Sequence, residues 1–215
     1  MRWSQLGFSK TAATTQDEET PRNLMGFKDG TNNVRVEETA AFDEHIWAGS
    51  EGPAWMQGGS YLVTRRIRML IEVWDRASLG DQEATIGRTK VGGAPLGGAA
   101  EFDTANLSTP AAGEKPTIPL DAHIRLAAPA TNGGHRILRR GYSFTDGMDA
   151  FGQLDAGLFF ICYQRDPRQQ FVPIQQRLAE NDALNEYIKH TGSALFACPP
   201  GLANADDWFG RALLA

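Results

Sequence analysis

The run SYLVTRRIRMLIEVW, Ser60 to Trp74, decides the architecture of this chain. Tyr61, Val63, Arg65, Ile67, Met69, Ile71 and Val73 alternate with Leu62, Thr64, Arg66, Arg68, Leu70, Glu72 and Trp74. A period of two with β-branched residues predicts one long strand with a mostly apolar face. Arg65 interrupts that face. A guanidinium among apolar side chains is costly unless it meets an anion. The alternative is a strand-end arginine whose stem covers apolar surface while its head reaches water. Both readings stand at this point.

Working outward, Asp75 to Gly87 predicts a short helix with Ser78 as its cap. Thr89 to Pro116 then passes Gly92, Gly93, Gly97, Gly98 and Gly113. A connection of that length inside a compact domain commonly wraps a ligand, but neither GxGxxG nor GxxxxGK[ST] occurs in it. In Ile118–Ala127, Leu120, Ala122, Ile124 and Leu126 share one face of an alternating pattern, with Asp121, His123 and Arg125 on the other. Ile137–Phe144 and Leu154–Gln164 predict strands, Phe171–Ala179 and Ala183–His190 helices, and Ala194–Cys198 a last short strand. Strands and helices intermingle without the alternation of a doubly wound fold, which favours α+β with an antiparallel sheet.

Upstream of the strand lies PRNLMGFKDGTNN, Pro21 to Asn33, in which Gly26 and Gly30 bracket a single carboxylate, Asp29. Glycines permit positive φ and close backbone approach. The segment is either a surface Asx-turn or a carboxylate held rigidly over a ligand. A calcium loop fails, because Val34 and Ala40 occupy positions that need glycine and glutamate. Residues 1–20 are polar and unpatterned after Trp3 and Phe8. We divide the chain into a segment 1–57 that carries the aspartate turn and a domain 58–215.

Twenty-one Lys and Arg against 26 Asp and Glu leave a net charge of −5, without a basic cluster. Nucleic acid and anionic membrane are therefore poor partners. No apolar run reaches the length of a membrane span. Cys162 and Cys198 sit in apolar runs and read as buried thiols rather than a disulfide. His45, His123, His135 and His190 form no HxxxH or HExxH motif, and no GxSxG elbow exists. One histidine, one rigid carboxylate and several arginines on apolar strands suit a large anionic cofactor whose metal needs a single protein ligand, as haem does.

GFKDGTNN, IGRTK (Ile86–Lys90), DAHIRLAAP (Asp121–Pro129) and LRRGYSF (Leu138–Phe144) resemble successive signature segments of the dye-decolourising peroxidases. GGSY…RRIRM…WDR (Gly58–Arg76) and GQLDAGLFFICYQ (Gly152–Gln164) match as well. The similarity is colinear from about Arg22 onward, and is nearest the exported bacterial peroxidases of iron-uptake operons. It implies a ferredoxin-like antiparallel sheet with helices on one face, of the dimeric α+β barrel superfamily, and haem b as cofactor. It also implies that Asp29 is the distal aspartate, Arg139 the distal arginine, His123 the proximal iron ligand and Arg88 a propionate partner. Arg65 and Asn32 are expected to assist at the propionates, Leu158 and Phe160 either to line the distal pocket or to pack in the core, and Glu186 to accept the second ring N–H of His123, with Asp206 and Asp207 as competitors.

The activity implied is reduction of hydrogen peroxide with oxidation of dyes or other aromatic reductants. Asp29 would shuttle the proton between the peroxide oxygens while Arg139 favours its ionised form and stabilises developing charge. Trp74, Tyr142 and Trp208 are candidate surface electron relays, with core packing as the competing reading of each. The alternatives are a haem-handling, iron-releasing protein and an inactive fragment. Family members carry two ferredoxin-like halves, so the chain is expected to be the second half plus the aspartate loop, with any export signal upstream and a periplasmic or extracellular location. A homo-oligomer is expected by the same resemblance.

Overall fold

A computed structural model of the protein describes residues 12–108 and 110–214. The readings placed on residues 1–11 lie outside them. Ser60–Met69 (β1) is a strand, and Leu70 turns the chain into a single helical turn, Ile71–Trp74. The strand predicted to run to Trp74 therefore ends five residues early. Packing explains the turn: Trp74 swings inward, 1% exposed, with Phe27 and Tyr187 edge-on to its ring at 5.9 and 4.9 Å. Its indole N–H donates to the Met25 carbonyl.

Thr39–His45 (α1) precedes the sheet, and we number the Ile71–Trp74 turn α2. Leu79–Ile86 (α3) begins on Ser78, whose hydroxyl accepts from the Asp81 amide, as the sequence predicts. Gly87 ends it at φ 90°, where a Cβ would lie 2.7 Å from the Ile124 side chain. Only glycine supplies both that conformation and that closeness. The end of α3 is thus pressed against His123–Ala127 (α4). Alternation in Ile118–Ala127 pointed to an extended segment, yet it folds as a turn followed by α4. The reason is Arg125, which is buried and donates to the carbonyls of Leu107, Ile118 and Pro119.

Leu138–Arg139 (β2) and Tyr142–Met148 (β3) pair with the same edge of Leu154–Gln164 (β4). Arg139 faces Cys162 and Tyr142 faces Phe159, so the register is unbroken across Arg140–Gly141. Phe171–Asn181 (α5) crosses back to Ile188–Cys198 (β5), which pairs with the other edge of β1. The region predicted as the Ala183–His190 helix is a short 3-10 turn, Ala183–Glu186, followed directly by β5. The Tyr187 carbonyl accepts from the Leu70 amide, and Ile188 opposite Met69 begins the ladder. A final turn, Arg211–Leu214 (α6), ends the described chain. The strand order β2/β3–β4–β1–β5, with crossovers through α2–α4 and α5, is the ferredoxin-like split βαβ arrangement.

Residues opposite one another in a ladder share a face. One face therefore carries Val63, Arg65 and Ile67 of β1, Leu158, Phe160 and Cys162 of β4, and Arg139 of β2. The main core lies on this face. It joins Ile67, Met69 and Leu158 to Trp74, Ile86 and Leu184 and to Met25 and Phe27 from the aspartate turn. The two cysteines are free thiols, and burial pushes the Cys162 thiol up to about 12.

Candidate functional site

The aspartate turn is built from its own backbone outward. Gly26 and Gly30 take φ of 84° and 96°. Asn23 accepts from the amides of Met25 and Phe27 and donates to Asp29 at 3.3 Å, while the Asp29 amide donates to the Pro21 carbonyl. The Asp29 carboxylate, 10% exposed, forms an ion pair with Arg139 Nη2. The turn thus reaches across to the edge strand of the sheet.

Asn33 makes that reach rigid, and sequence reasoning missed it in favour of Asn32. Its side-chain oxygen accepts from the Arg139 amide at 2.8 Å, and its nitrogen donates to the carbonyls of Arg139 (3.0 Å) and Ala13 (2.9 Å). A buried amide thereby pairs with the backbone of β2 as another strand would. Asn32 is exposed and is not brought into this network.

His123 opens α4, and its Nδ1 lies 2.6 Å from Asp182, whose side chain is 2% exposed. A carboxylate only accepts, so the proton sits on Nδ1 and Nε2 keeps its lone pair for a ligand. Burial pulls the imidazole pKa down, but the charge and hydrogen bond of Asp182 outweigh it and leave the pKa raised. Asp29 adds to the rise and Arg139 opposes it, so both charges are felt at His123. The carboxylate on His123 is therefore Asp182 and not Glu186. Glu186 is exposed, whereas Asp182 caps the 3-10 turn through the Leu184 amide and is aimed at α4 by it. Asp206 and Asp207 lie on the exposed C-terminal segment.

Arg65 carries two unsatisfied nitrogens. Its Nε and Nη1 are buried and have no hydrogen-bond partner among the described residues. Its guanidinium carbon stands 5.9 Å from the Phe171 ring, and burial lowers its pKa. His190, also affected by Arg65, is pushed down to about 4, chiefly by burial. A half-buried cation with two unpartnered nitrogens is suited to an anion, which fits a carboxylate-bearing cofactor such as haem.

Arg88 follows Gly87 at the end of α3. Its Nη1 donates to the carbonyls of Gly93 and Glu101, closing the glycine-rich loop on itself. Backbone carbonyls in a loop without strand partners need such donors. Leu158 is 7% exposed within the core, and Phe160 packs beside it, 6.1 Å from Phe171, on the same face as Arg65 and Arg139. Among the described residues no three His, Cys, Asp or Glu side chains gather into a metal site. A metal held by one imidazole must bring its other donors with it, as a porphyrin does.

Fold and site together define a ferredoxin-like domain with a paired Asp–Arg on a sheet edge and a carboxylate-buttressed histidine. The family model for the Dyp-type peroxidase C-terminal region matches residues 20–203, and the chain belongs to that family. A dye-decolorizing peroxidase of Thermobifida fusca is 49% identical over 204 residues, which is 93% of this chain and 47% of that protein. A deferrochelatase of Yersinia pseudotuberculosis is 44% identical over 219 residues, covering 100% of this chain and 50% of that one. Among solved structures, an oxyferrous/water mixed complex of DtpA from Streptomyces lividans superposes with a TM-score of 0.85 at 46% identity, over 94% of this chain and 55% of that one. The chain spans about half the length of the curated relatives it matches. No described helix is long and apolar enough to cross a membrane.

Proposed function

We propose that the chain holds haem b through His123 Nε2 and forms the peroxide-reducing site of a dye-decolourising peroxidase. The observation that carries this reading is the convergence of Asp29, Arg139 and the Asp182-buttressed His123, with the unpaired Arg65 on the same sheet face. Haem, when bound, supplies an iron that accepts peroxide and stores its oxidising equivalents.

The chain's own residues do the rest. Asp182 holds the Nδ1 proton and makes the imidazole a stronger donor. Arg65 neutralises a propionate. Asp29 takes the proton from one oxygen of hydrogen peroxide and returns it to the other, which leaves as water. Arg139 aims a charged donor at the oxygen on which negative charge grows. Leu158 and Phe160 keep this space apolar. Electrons come from an aromatic or dye reductant.

Relatives named deferrochelatases keep a second reading in view, in which the same pocket handles haem without reducing peroxide. Adding haem and then hydrogen peroxide separates the readings. A Soret band that shifts with peroxide and returns on addition of a dye supports the peroxidase. A band that does not shift supports haem handling, and no band contradicts both.

A further inference from the structure

The aspartate turn is gripped by a loop with which it forms no ladder. Lys28 Nζ donates to Glu101 at 2.5 Å, and the Thr31 hydroxyl donates to the other carboxylate oxygen at 3.1 Å. These residues flank Asp29 and Gly30. Glu101 is 10% exposed and Lys28 16%, so the pair is nearly dry. Glu101 is itself anchored, because its backbone carbonyl accepts from Arg88. Arg22 ties the other end of the turn, donating to the carbonyls of Gly26, Lys90 and Val91. Contact is close enough that a Cβ on Gly26 would lie 2.7 Å from Lys90 Cε, and one on Gly93 2.9 Å from Lys28 Cδ.

We propose that Glu101 is a positioning residue for Asp29: the glycine-rich loop acts as a clamp that sets where the proton-handling carboxylate stands. The inference rests on the role proposed for Asp29 and deepens it. A carboxylate shared by residues on both sides of Asp29 removes the freedom that the two flanking glycines confer. Proton transfer is steeply sensitive to placement, and a misplacement of ~1 Å costs on the order of 10²-fold in rate. Without Glu101, the Lys28 ammonium is left poorly solvated beside the turn, and Thr31 loses its acceptor.

The test compares the full chain with Glu101→Ala, Lys28→Met and the double variant. In the haem-free protein, amide hydrogen exchange at Asp29 and Asn33 is expected to quicken at least ~10-fold in Glu101→Ala while amides in β1 and β4 are unchanged. In the haem-loaded protein, the peroxide reaction slows ~10-fold or more, with Soret position and haem affinity unaltered. The double variant is no slower than the slower single variant, because one contact is removed only once. Unchanged exchange at Asp29, or single losses that multiply in the double, overturns the clamp. Should Glu101→Ala not fold, Glu101→Gln keeps the volume while removing the charge that holds Lys28, and faster or unchanged exchange at Asp29 then decides in the same way. A parent protein inert to peroxide would refute the proposed function, and the exchange result would still decide the clamp.

Discussion

Asp29 and Arg139, separated by 110 positions, form an ion pair that joins a glycine-bracketed turn to the edge strand of the sheet. Neither end is free to drift. Asn23 and Pro21 hold the aspartate, while Asn33 grips the backbone of Arg139 from both sides. The pair sets a carboxylate and a guanidinium side by side.

Replacing the donor should therefore cost rate rather than cofactor. Arg139→Leu is expected to slow the reaction with peroxide more than ~10²-fold, the scale of losing one preorganised charge stabiliser. Stopped-flow absorbance at the Soret band measures it, and rates equal to the parent's would remove Arg139 from the mechanism.

Asn33 supports structure more than chemistry. Asn33→Ala strips the Arg139 amide and carbonyl of their partners and is expected to destabilise the fold by ~1–3 kcal/mol in urea unfolding. Asn33→Asp still accepts from the Arg139 amide but donates to neither carbonyl, so it should not restore the parent value. A stability equal to the parent's in Asn33→Ala would show that water serves those groups as well.

On the histidine side, Asp182→Asn removes the charge that orients the ring and strengthens its donor nitrogen. A loss of ~10–100-fold in haem affinity is expected. Glu186→Gln, at an exposed position, should leave haem titrations unchanged. The reverse ranking would reinstate Glu186 as the partner of His123.

Acid should release the clamp. Burial pushes the Glu101 carboxyl up, but hydrogen bonding, led by that from Lys28, and the Lys28 charge outweigh it and leave its pKa below the ordinary 4.5. A depressed folded-state value means that the stabilisation is complete above the unfolded pKa and fades as pH falls through the folded one. The stability gap between parent and Glu101→Gln is thus expected to be constant above about pH 5 and to narrow below 4.5 in unfolding titrations. A gap that widens in acid would contradict the assignment.

Much of this was legible in the residues. Period two with β-branched content marked β1, and the β4 strand spans the residues predicted for it. Ser78 marked the start of α3. The errors have physical causes. β5 is an exposed edge strand from Lys189 to Ala197, so no buried face impressed an alternation on its sequence. Trp74 continued the strand pattern, yet tertiary packing against Phe27 and Tyr187 pulled it out of line.

At the site, the histidine and the Asp–Arg pair came from resemblance, but their supports depend on turn geometry. Asn32 and Asn33 are adjacent amides, and only the Gly30–Asn33 turn determines which one faces inward. Asp182 carried a readable signal, an aspartate immediately before a helical turn, where its carboxylate caps the next amides. That this same carboxylate also reaches His123, 59 positions earlier, is set by α5 packing beside α4.

The central claim is that one imidazole, His123, carries the cofactor. Haem titration followed by Soret absorbance, comparing the parent with His123→Ala, tests it most directly. The account predicts that the variant loses haem and that free imidazole added to the solution restores the band. Binding of equal affinity and an identical spectrum in the variant, without imidazole, would contradict it.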